Sequence, residues 1–441
     1  MGLGTVAALI KAMTRKTDTE LAQVKTDITK IADVETPYGF RWTDHPLVNH
    51  IRRSNNGIVC DFDVASLKQT TGKTYYVSPS GNDSNTGTDR EHPLTKIKTA
   101  LSKDDVDIVV LMDGIYNINR LPQHINGLAR SVTIVADTNA KPILCTNENV
   151  TISKTDGYTY VYQFAMNTNC IYDVANDCAY VRVLSISDVD STEGSFYVDN
   201  GTTTYVHAIG DGEPTNNTIK ACKNYDNFRI TASGAISIYL EGITVCGGSY
   251  GAFRVTSDGT NAPNVYAKNC RFYGSLVNGA VYLEGCNSIM QSCEAAIGTD
   301  DGFCYHAKTN AIPKAIEINC EGHHNGVDGG TDNGSTIHDG GSIIRVNGKY
   351  HNNRGPNVHD VHASTQSWNI GCKSYKSDSG TQDNANSDFV VSADDSTMWL
   401  DSCSAYGSTY SLLANSTGKV YEHNNAFVTK KVTENCAIES Y

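Results

Sequence analysis

Asn269-Cys-Arg-Phe-Tyr273, Ser292-Cys-Glu-Ala-Ala296 and Asn319-Cys-Glu-Gly-His323 are three copies of one short frame, and their spacing decides the fold. The frame returns as Asn347-Gly-Lys-Tyr-His351, Gly371-Cys-Lys-Ser-Tyr375 and Ser402-Cys-Ser-Ala-Tyr406. Counting from Cys246, the slot passes through Cys270, Cys293, Cys320, Gly348, Cys372 and Cys403 at intervals of 24, 23, 27, 28, 24 and 31 residues. A large apolar residue stands four positions upstream of each slot: Tyr266, Ile289, Ile316, Ile344, Trp368 and Trp399. A period in the twenties, carried on short strand-like runs, marks a solenoid with one repeat per turn. A second run, at Ala252-Phe-Arg-Val255, Ala280-Val-Tyr-Leu283, Gly302-Phe-Cys-Tyr305, Asn357-Val-His-Asp-Val361, Asp388-Phe-Val-Val391 and Ser411-Leu-Leu413, predicts another sheet of the same coil.

The cysteines admit three readings. A disulfide framework needs pairs, and a zinc site is poorly served because no Cys-x-x-Cys occurs. One thiol per turn at fixed register fits small apolar side chains stacked inside the coil, since free Cys behaves as a small hydrophobe. With the slot pointing inward, alternation sends the residues one and three positions on to the outside. The first outward column reads Arg271, Glu294, Glu321, Lys349, Lys373, Ser404, and the second Tyr273, Ala296, His323, His351, Tyr375, Tyr406.

The chain has 441 residues and a net charge of −13, which argues against nucleic acid as a partner. No run of eighteen apolar residues predicts a membrane span. The start lacks a basic n-region and a small-residue cleavage site, so no signal peptide is expected. Residues 1–36 carry Ala7, Ile10, Thr14, Thr17, Leu21, Val24, Ile28 and Ile31 at alternating spacings of three and four, the pattern of a short coiled coil or of one docked amphipathic helix. Oligomerisation, as a homotrimer, is the expectation from this stretch. Pro37 ends the helix, and residues 37–72 read as a linker or collar. Residues 73–145 hold strands at Lys73-Thr-Tyr-Tyr-Val77, Asp107-Ile-Val-Val-Leu-Met112 and Val132-Thr-Ile-Val-Ala136, and a short amphipathic helix with Leu94, Ile97 and Leu101 on one face. Residues 146–430 read as the solenoid with a hairpin excursion near 190–220, and 431–441 as a tail.

The order Tyr75-Tyr-Val-Ser-Pro-Ser-Gly-Asn-Asp83, Pro93-Leu-Thr-Lys-Ile97, Val109-Val-Leu-Met-Asp-Gly-Ile-Tyr116 resembles the opening turns of pectate-lyase-like right-handed parallel β-helix proteins. Gly201-Thr-Thr-Thr-Tyr-Val-His207, followed by Asp211-Gly-Glu-Pro214, is similar to the hairpin inserted by polysaccharide-acting members. The resemblance implies an all-β, right-handed single-stranded parallel β-helix, with the helix capping its open end. It leaves activity open, because that superfamily holds lyases, hydrolases, epimerases and non-catalytic adhesins. A coiled-coil start joined to a β-helix is similar in layout to a bacteriophage tailspike or receptor-binding fibre. That implies a virion protein of the phage tail, assembled in the host cytoplasm. It would bind other tail proteins through its N-terminus and a bacterial surface polysaccharide through its solenoid.

Two clusters are candidate sites. Glu294 and Glu321, on adjacent turns, predict carboxyls roughly 5 Å apart, the separation of a retaining glycosidase pair, with one pKa driven up by the other's charge. Around them Arg271, Lys349, Tyr273, His351, Tyr375 and Tyr406 are candidate sugar contacts, rings for apolar sugar faces and cations for carboxylates. The bland alternative is a solvated Glu–Lys ladder. The second cluster gathers seven of thirteen histidines between His306 and His362, with Asp300, Asp301, His323, Asp328 and Arg354 as candidate catalytic groups. His338, Asp339 and Asp332 leave room for a divalent metal, although their spacing matches no fixed signature and no cofactor is implied. The expected function is binding and depolymerisation of a bacterial surface polysaccharide by hydrolysis or elimination. The alternatives are a non-catalytic virion fibre of the same fold and a secreted polysaccharide lyase.

Overall fold

The structure, a computed structural model, describes residues 32–117, 123–326, 332–378, 386–415, 417–433 and 435–441. It divides into two compact units, Met1–Phe62 and Asp63–Tyr441. The heptads of residues 1–31 lie outside the described residues. At the end of the expected helix, Ala32–Asp33 instead pairs as a short strand with Arg52–Arg53. That strand joins Ile51–Ser54 and Gly57–Cys60 in a three-stranded antiparallel sheet. Phe40, Leu47 and Ile51 of this unit are buried.

The second unit is a parallel β-helix of three long sheets with 12, 10 and 10 strands. The first sheet runs from Lys73–Val77 through Asn264–Lys268 and Lys314–Ile318 to Ala437–Ser440. The second contains Arg271–Ser275, Glu294–Gly298, Glu321–His323, Lys349–His351, Lys373–Tyr375 and Ser404–Tyr406. The third contains Phe253–Thr256, Gly279–Glu284, Asp301–His306, Ser335–Ile337, Val358–Asp360 and Ser387–Val391. The coil continues past residue 430, because Lys430–Val432 and Ala437–Ser440 still pair with the preceding turn.

The frame marks the corner between the first and second sheets. Its leading residue is left-handed in every turn: Asn269, Ser292, Asn319, Asn347 and Ser402 have φ of 52°, 52°, 52°, 52° and 53°, and Gly371 has 66°. Asn, Ser and Gly are the residues that accept this conformation at least strain. The next residue turns inward. All fourteen cysteines are free, and Cys270, Cys293, Cys320, Cys372 and Cys403 are buried. The S–H groups of Cys320, Cys372 and Cys403 reach carbonyls of the preceding rung, as from Cys320 to Met290 and from Cys372 to Arg345, both at 3.2 Å, whereas Cys270 and Cys293 donate to Lys268 and Gln291, two residues back.

Cys246 does not belong to this column. It ends the strand Thr244–Cys246 and stands in register with Tyr273, so the slot of its turn is Ile243, after left-handed Gly242. Gly348 holds the slot for a steric reason. A Cβ there would lie 2.4 Å from the Tyr350 hydroxyl, which turns in to bond Glu317 Oε2 at 2.5 Å.

At the N-terminal end, the helix Ile97–Leu101 buries Ile97, Ala100 and Leu101 against the first turns. The excursion is larger than its hairpin, Ser195–Asp199 with Thr203–His207. It spans two further sheets, one antiparallel and one mixed, between Asn147 and Lys223. These share a second apolar core with the outer face of the solenoid, uniting Tyr172, Cys170 and Cys222 with Cys246, Tyr273, Ala296 and Ile297.

The solenoid interior is not apolar throughout. Between the apolar stretches ending at Ile343 and beginning at Tyr350 lies a polar layer. There Arg345 pairs with Asp360 at 3.3 Å and donates to Ser335 Oγ at 2.8 Å and Asn369 Oδ1 at 3.1 Å. Ser335 Oγ in turn donates to Glu317 at 2.6 Å. Burial drives the Glu317 and Asp360 carboxyls up, and Arg345 opposes this without reversing it. Removing one partner of such a buried group leaves uncompensated charge. Arg345→Leu should therefore lower the unfolding free energy by about 3–5 kcal/mol, read as a fall in the urea midpoint at unchanged slope. Lys349→Ala, on the solvent-facing ladder, should change it by less than about 1 kcal/mol.

Candidate functional site

The second sheet bears the site because both its corners are fixed. At the far end of each of its strands, or just past it, stands a second left-handed residue: Gly274, Ile297, His324, Asn352, Lys376 and Gly407, at φ of 77°, 61°, 52°, 55°, 53° and 80°. Between the corners the frame residues pair rung on rung, Arg271 with Glu294, Glu294 with Glu321, Glu321 with Lys349 and Lys349 with Lys373. The two outward columns therefore stand as the spacing implies.

Glu294 and Glu321 are neighbours, and each is held by an imidazole one rung on. His323 Nε2 lies 2.9 Å from Glu294 Oε1, and His351 Nε2 lies 2.8 Å from Glu321 Oε1. Lys349 Nζ adds a bond to Glu321 at 2.5 Å. Burial pushes the Glu294 carboxyl up, but the bond and charge of His323 outweigh it, and the group settles below its usual value. The His351 bond does most to draw Glu321 down to about 2, against partial burial. Mutual repulsion thus fails to raise either group, and neither is the protonated acid that a retaining pair requires.

The rings of the second column stack face to face. His323 lies 5.0 Å from His351, His351 4.6 Å from Tyr375 and Tyr375 5.0 Å from Tyr406, with interplanar angles of 4°, 3° and 6°. Stacking consumes the ring faces, so a sugar beside the ladder meets edges and hydroxyls instead. Tyr273 is withdrawn altogether, buried against Tyr172 of the excursion. Arg271 clamps the excursion, giving Nη2 to Asp177 Oδ1 at 2.6 Å and Nη1 to the Asp177 carbonyl at 2.7 Å.

Where the excursion stops, a groove of about 520 Å³ opens. Arg182, Leu184 and Asp188 of the excursion form one wall, and the corner residues His324, Asn352, Lys376 and Gly407 form the other with Arg354 and Asp378. Four rungs at roughly 4.8 Å make it an elongated site. Asn325 lines its floor and begins a buried polar ladder: Asn325 Nδ2 donates to Asn353 Oδ1 at 2.9 Å, Asn353 Nδ2 to Asn357 Oδ1 at 2.8 Å, and Asn357 Nδ2 to Asp388 Oδ1 at 3.0 Å. Asp388 also accepts from Ser374 and Ser408 at 2.8 and 2.9 Å, yet burial still raises its carboxyl to about 6.

Asp300, Asp301 and Asp332 converge next to this groove. Asp332 lies directly behind Gly326 of the groove lining, where a Cβ would come within 2.3 Å of the Asp332 Cβ. Asp332 is hydrogen-bonded to Asp300, whose carboxyl burial raises against that bond. Asp301 is raised further, by burial and then by the charge of Asp300, while its Oδ1 accepts from the Asn333 backbone and side chain, both at 2.9 Å. Asp328 lies outside the described residues. His338 and Asp339 fall on the third-sheet side, apart from Asp332.

The groove walls Arg182, Asp188, Lys376 and Asp378, and the Asn floor, were not singled out in the sequence. The floor had a signal, because the residue five after each slot is small or polar: Ser275, Gly298, Asn325, Asn353, Ser377, Ser408.

No protein-family model matches this chain, and no curated protein matches it. Among solved structures it is similar to XylC in complex with xylose, at 10% identity and a TM-score of 0.45 over 83% of this chain and 70% of that one. It is similar to a glycoside hydrolase at 10% identity and 0.44, over 83% and 96%. It is similar to pectate lyase Pel9A at 14% identity and 0.34, over 85% and 80%. Such scores leave the activity to be argued from this chain's own residues.

Glu321 also carries a pH signature. Its folded carboxyl is drawn down to about 2 from an ordinary value of 4.5, so the unfolded chain binds the proton more readily. The stability it contributes is present above about pH 4.5 and lost as pH falls toward 2. Glu321→Gln should flatten the acid limb of melting temperature against pH in that window and leave the neutral region nearly level.

Proposed function

We propose that the chain binds an extended, acidic polysaccharide in the groove and hydrolyses it with the Asp300 and Asp332 carboxyls. The observation that carries this reading is a contact: Asp332, hydrogen-bonded to Asp300, lies against Gly326 of a groove lined by Arg182, Arg354 and Lys376. Guanidinium and ammonium groups suit uronate or other acidic sugars. Hydrogen-bonded to each other, the two carboxyls would stand on one side of the scissile bond and give their shared proton to the glycosidic oxygen, while water adds to the anomeric carbon and releases its proton to solvent. Asp301 positions the pair, because it repels Asp300 and holds Asn333 next to Asp332 in the chain. Glu294 and Glu321, ionised and tied to histidines, keep the ladder and the edge of the groove in place.

A binder without turnover is the second reading, favoured by how little of Asp301 and Asp332 is exposed, 4% each. In either case we place the chain as the receptor-binding part of a phage tail directed at a bacterial surface polysaccharide. That placement rests on the heptads of residues 1–36 and not on the solenoid.

Incubation with a panel of acidic exopolysaccharides should release reducing ends without new unsaturated products. Asp300→Asn should lower turnover by about 10²–10⁴-fold while leaving glycan retention intact. Retention without cleavage across the panel would establish the binder, and unsaturated products would establish elimination. By light scattering the full chain should be a trimer; a monomer would remove the virion-fibre placement and restore a secreted enzyme.

A further inference from the structure

On the outer face of the third sheet, outside the groove, Cys304, His306 and His338 offer ligand atoms that all lie within 4.8 Å of one another. The geometry points to a binding site here for one borderline-soft divalent transition ion of the zinc type. This inference does not depend on the proposed function.

The strand Asp301–His306 puts Cys304 and His306 on one face, two residues apart. The next rung, Ser335–Ile337, is in register with it, Cys304 with Thr336 and Tyr305 with Ile337, so His338 follows directly beside His306. The two imidazoles stack at 3.8 Å and 16°. His338 Nε2 lies 3.9 Å from Cys304 Sγ. Zinc–sulfur and zinc–nitrogen bonds of about 2.3 and 2.0 Å at a tetrahedral angle separate the two ligand atoms by about 3.6 Å. Closing the site takes a shift of a few tenths of an ångström at sulfur and a rotation of one imidazole out of the stack, because the in-plane lone pairs of two near-parallel rings do not converge.

An outer shell is already in place for His306, while the buried Nδ1 of His338 has none. Asp339 Oδ2 holds His306 Nδ1 at 3.0 Å, and Asp339 Oδ1 holds His362 Nδ1 at 2.6 Å. A carboxylate on Nδ1 fixes the tautomer that presents the opposite nitrogen to a metal. His362, whose ring packs edge-on to His338 at 5.1 Å, stands where a fourth ligand or a metal-bound water would complete the set. The His306 and His362 side chains are 23% and 55% exposed, which gives an ion a path to buried Cys304. On binding, the Cys304 S–H proton passes to solvent and the thiolate takes the ion, with no redox change. The ion would tie adjacent rungs of the third sheet at the downstream end of the loop that carries Asp332.

Cobalt(II), added to the reduced full-length protein, is the probe. One ion per chain should bind, with a thiolate-to-cobalt charge-transfer band that zinc abolishes. Cys304→Ser should remove the band and Cys178→Ser should keep it, both with native circular dichroism. Asp339 is a positioning residue, and Asp339→Asn should weaken zinc about 10–100-fold in chelator competition while the band remains at saturation. Should Cys304→Ser fold poorly, His306→Ala, at a partly exposed ring, must still weaken zinc at least tenfold. Absence of a stoichiometric band overturns the site. So does a band that survives Cys304→Ser, or affinity unchanged in His306→Ala.

Discussion

One left-handed residue per turn, set between the first and second sheets, holds this structure in register. Asn269, Ser292, Asn319, Asn347, Gly371, Ser402 and Asn424 all take it, at φ between 52° and 66°. A bend of a single residue fixes parity as well as direction. The residue after it must enter the interior, the next must leave it, and alternation does the rest. Because every turn bends at the same place, side chains of like position stack at about 4.8 Å, and the character of each face follows from a column of residue types.

Stacking like on like has electrostatic consequences that the second sheet resolves along the diagonal. Glu294 above Glu321 places two carboxylates on consecutive rungs. The histidines that relieve them come from the neighbouring column, one rung further along. Lys349 continues the first column with opposite charge, and His351, Tyr375 and Tyr406 continue the second with rings that satisfy one another. The outcome is a rigid, ionised ladder, better suited to hold an edge than to move a proton. Beside the groove, the carboxyls that burial raises stand where the coil departs from its ladder, Asp300 and Asp301 at the start of the third-sheet strand.

What could be read from the sequence was what repeats. The slot, its inward thiols, both outward columns and the third-sheet runs are local and periodic, and they stand as spaced. Cys246 misled because its spacing fits the period, whereas the bend of its turn at Gly242 makes Ile243 the inward residue. The interior charge of Glu317, Arg345 and Asp360 was overlooked, since alternation only says which way a side chain points and a polar layer inside the coil shows no period. Arg182 and Lys376 meet across one groove from segments almost two hundred residues apart, through strand pairing inside the excursion, parallel at Arg182, that no repeat announces.

That excursion, more than the solenoid, decides where a ligand can sit. It packs on the outward face of the second sheet over Tyr273, Ala296 and Ile297, each at most 3% exposed, and Arg271 anchors it. The rungs it covers are lost to solvent, but its far edge becomes the wall that the bare sheet lacks. The boundary falls at Ile297, a β-branched residue in a left-handed corner, a conformation that persists only where surrounding packing holds it. One rung on, the equivalent corner is His324, and it lines the groove. A shorter excursion would leave a flat ladder, and a longer one would bury the corner column. The groove therefore arises from the length of an aperiodic insertion laid over a periodic coil, and for that reason the two acidic groups behind Gly326 have an open cleft in front of them.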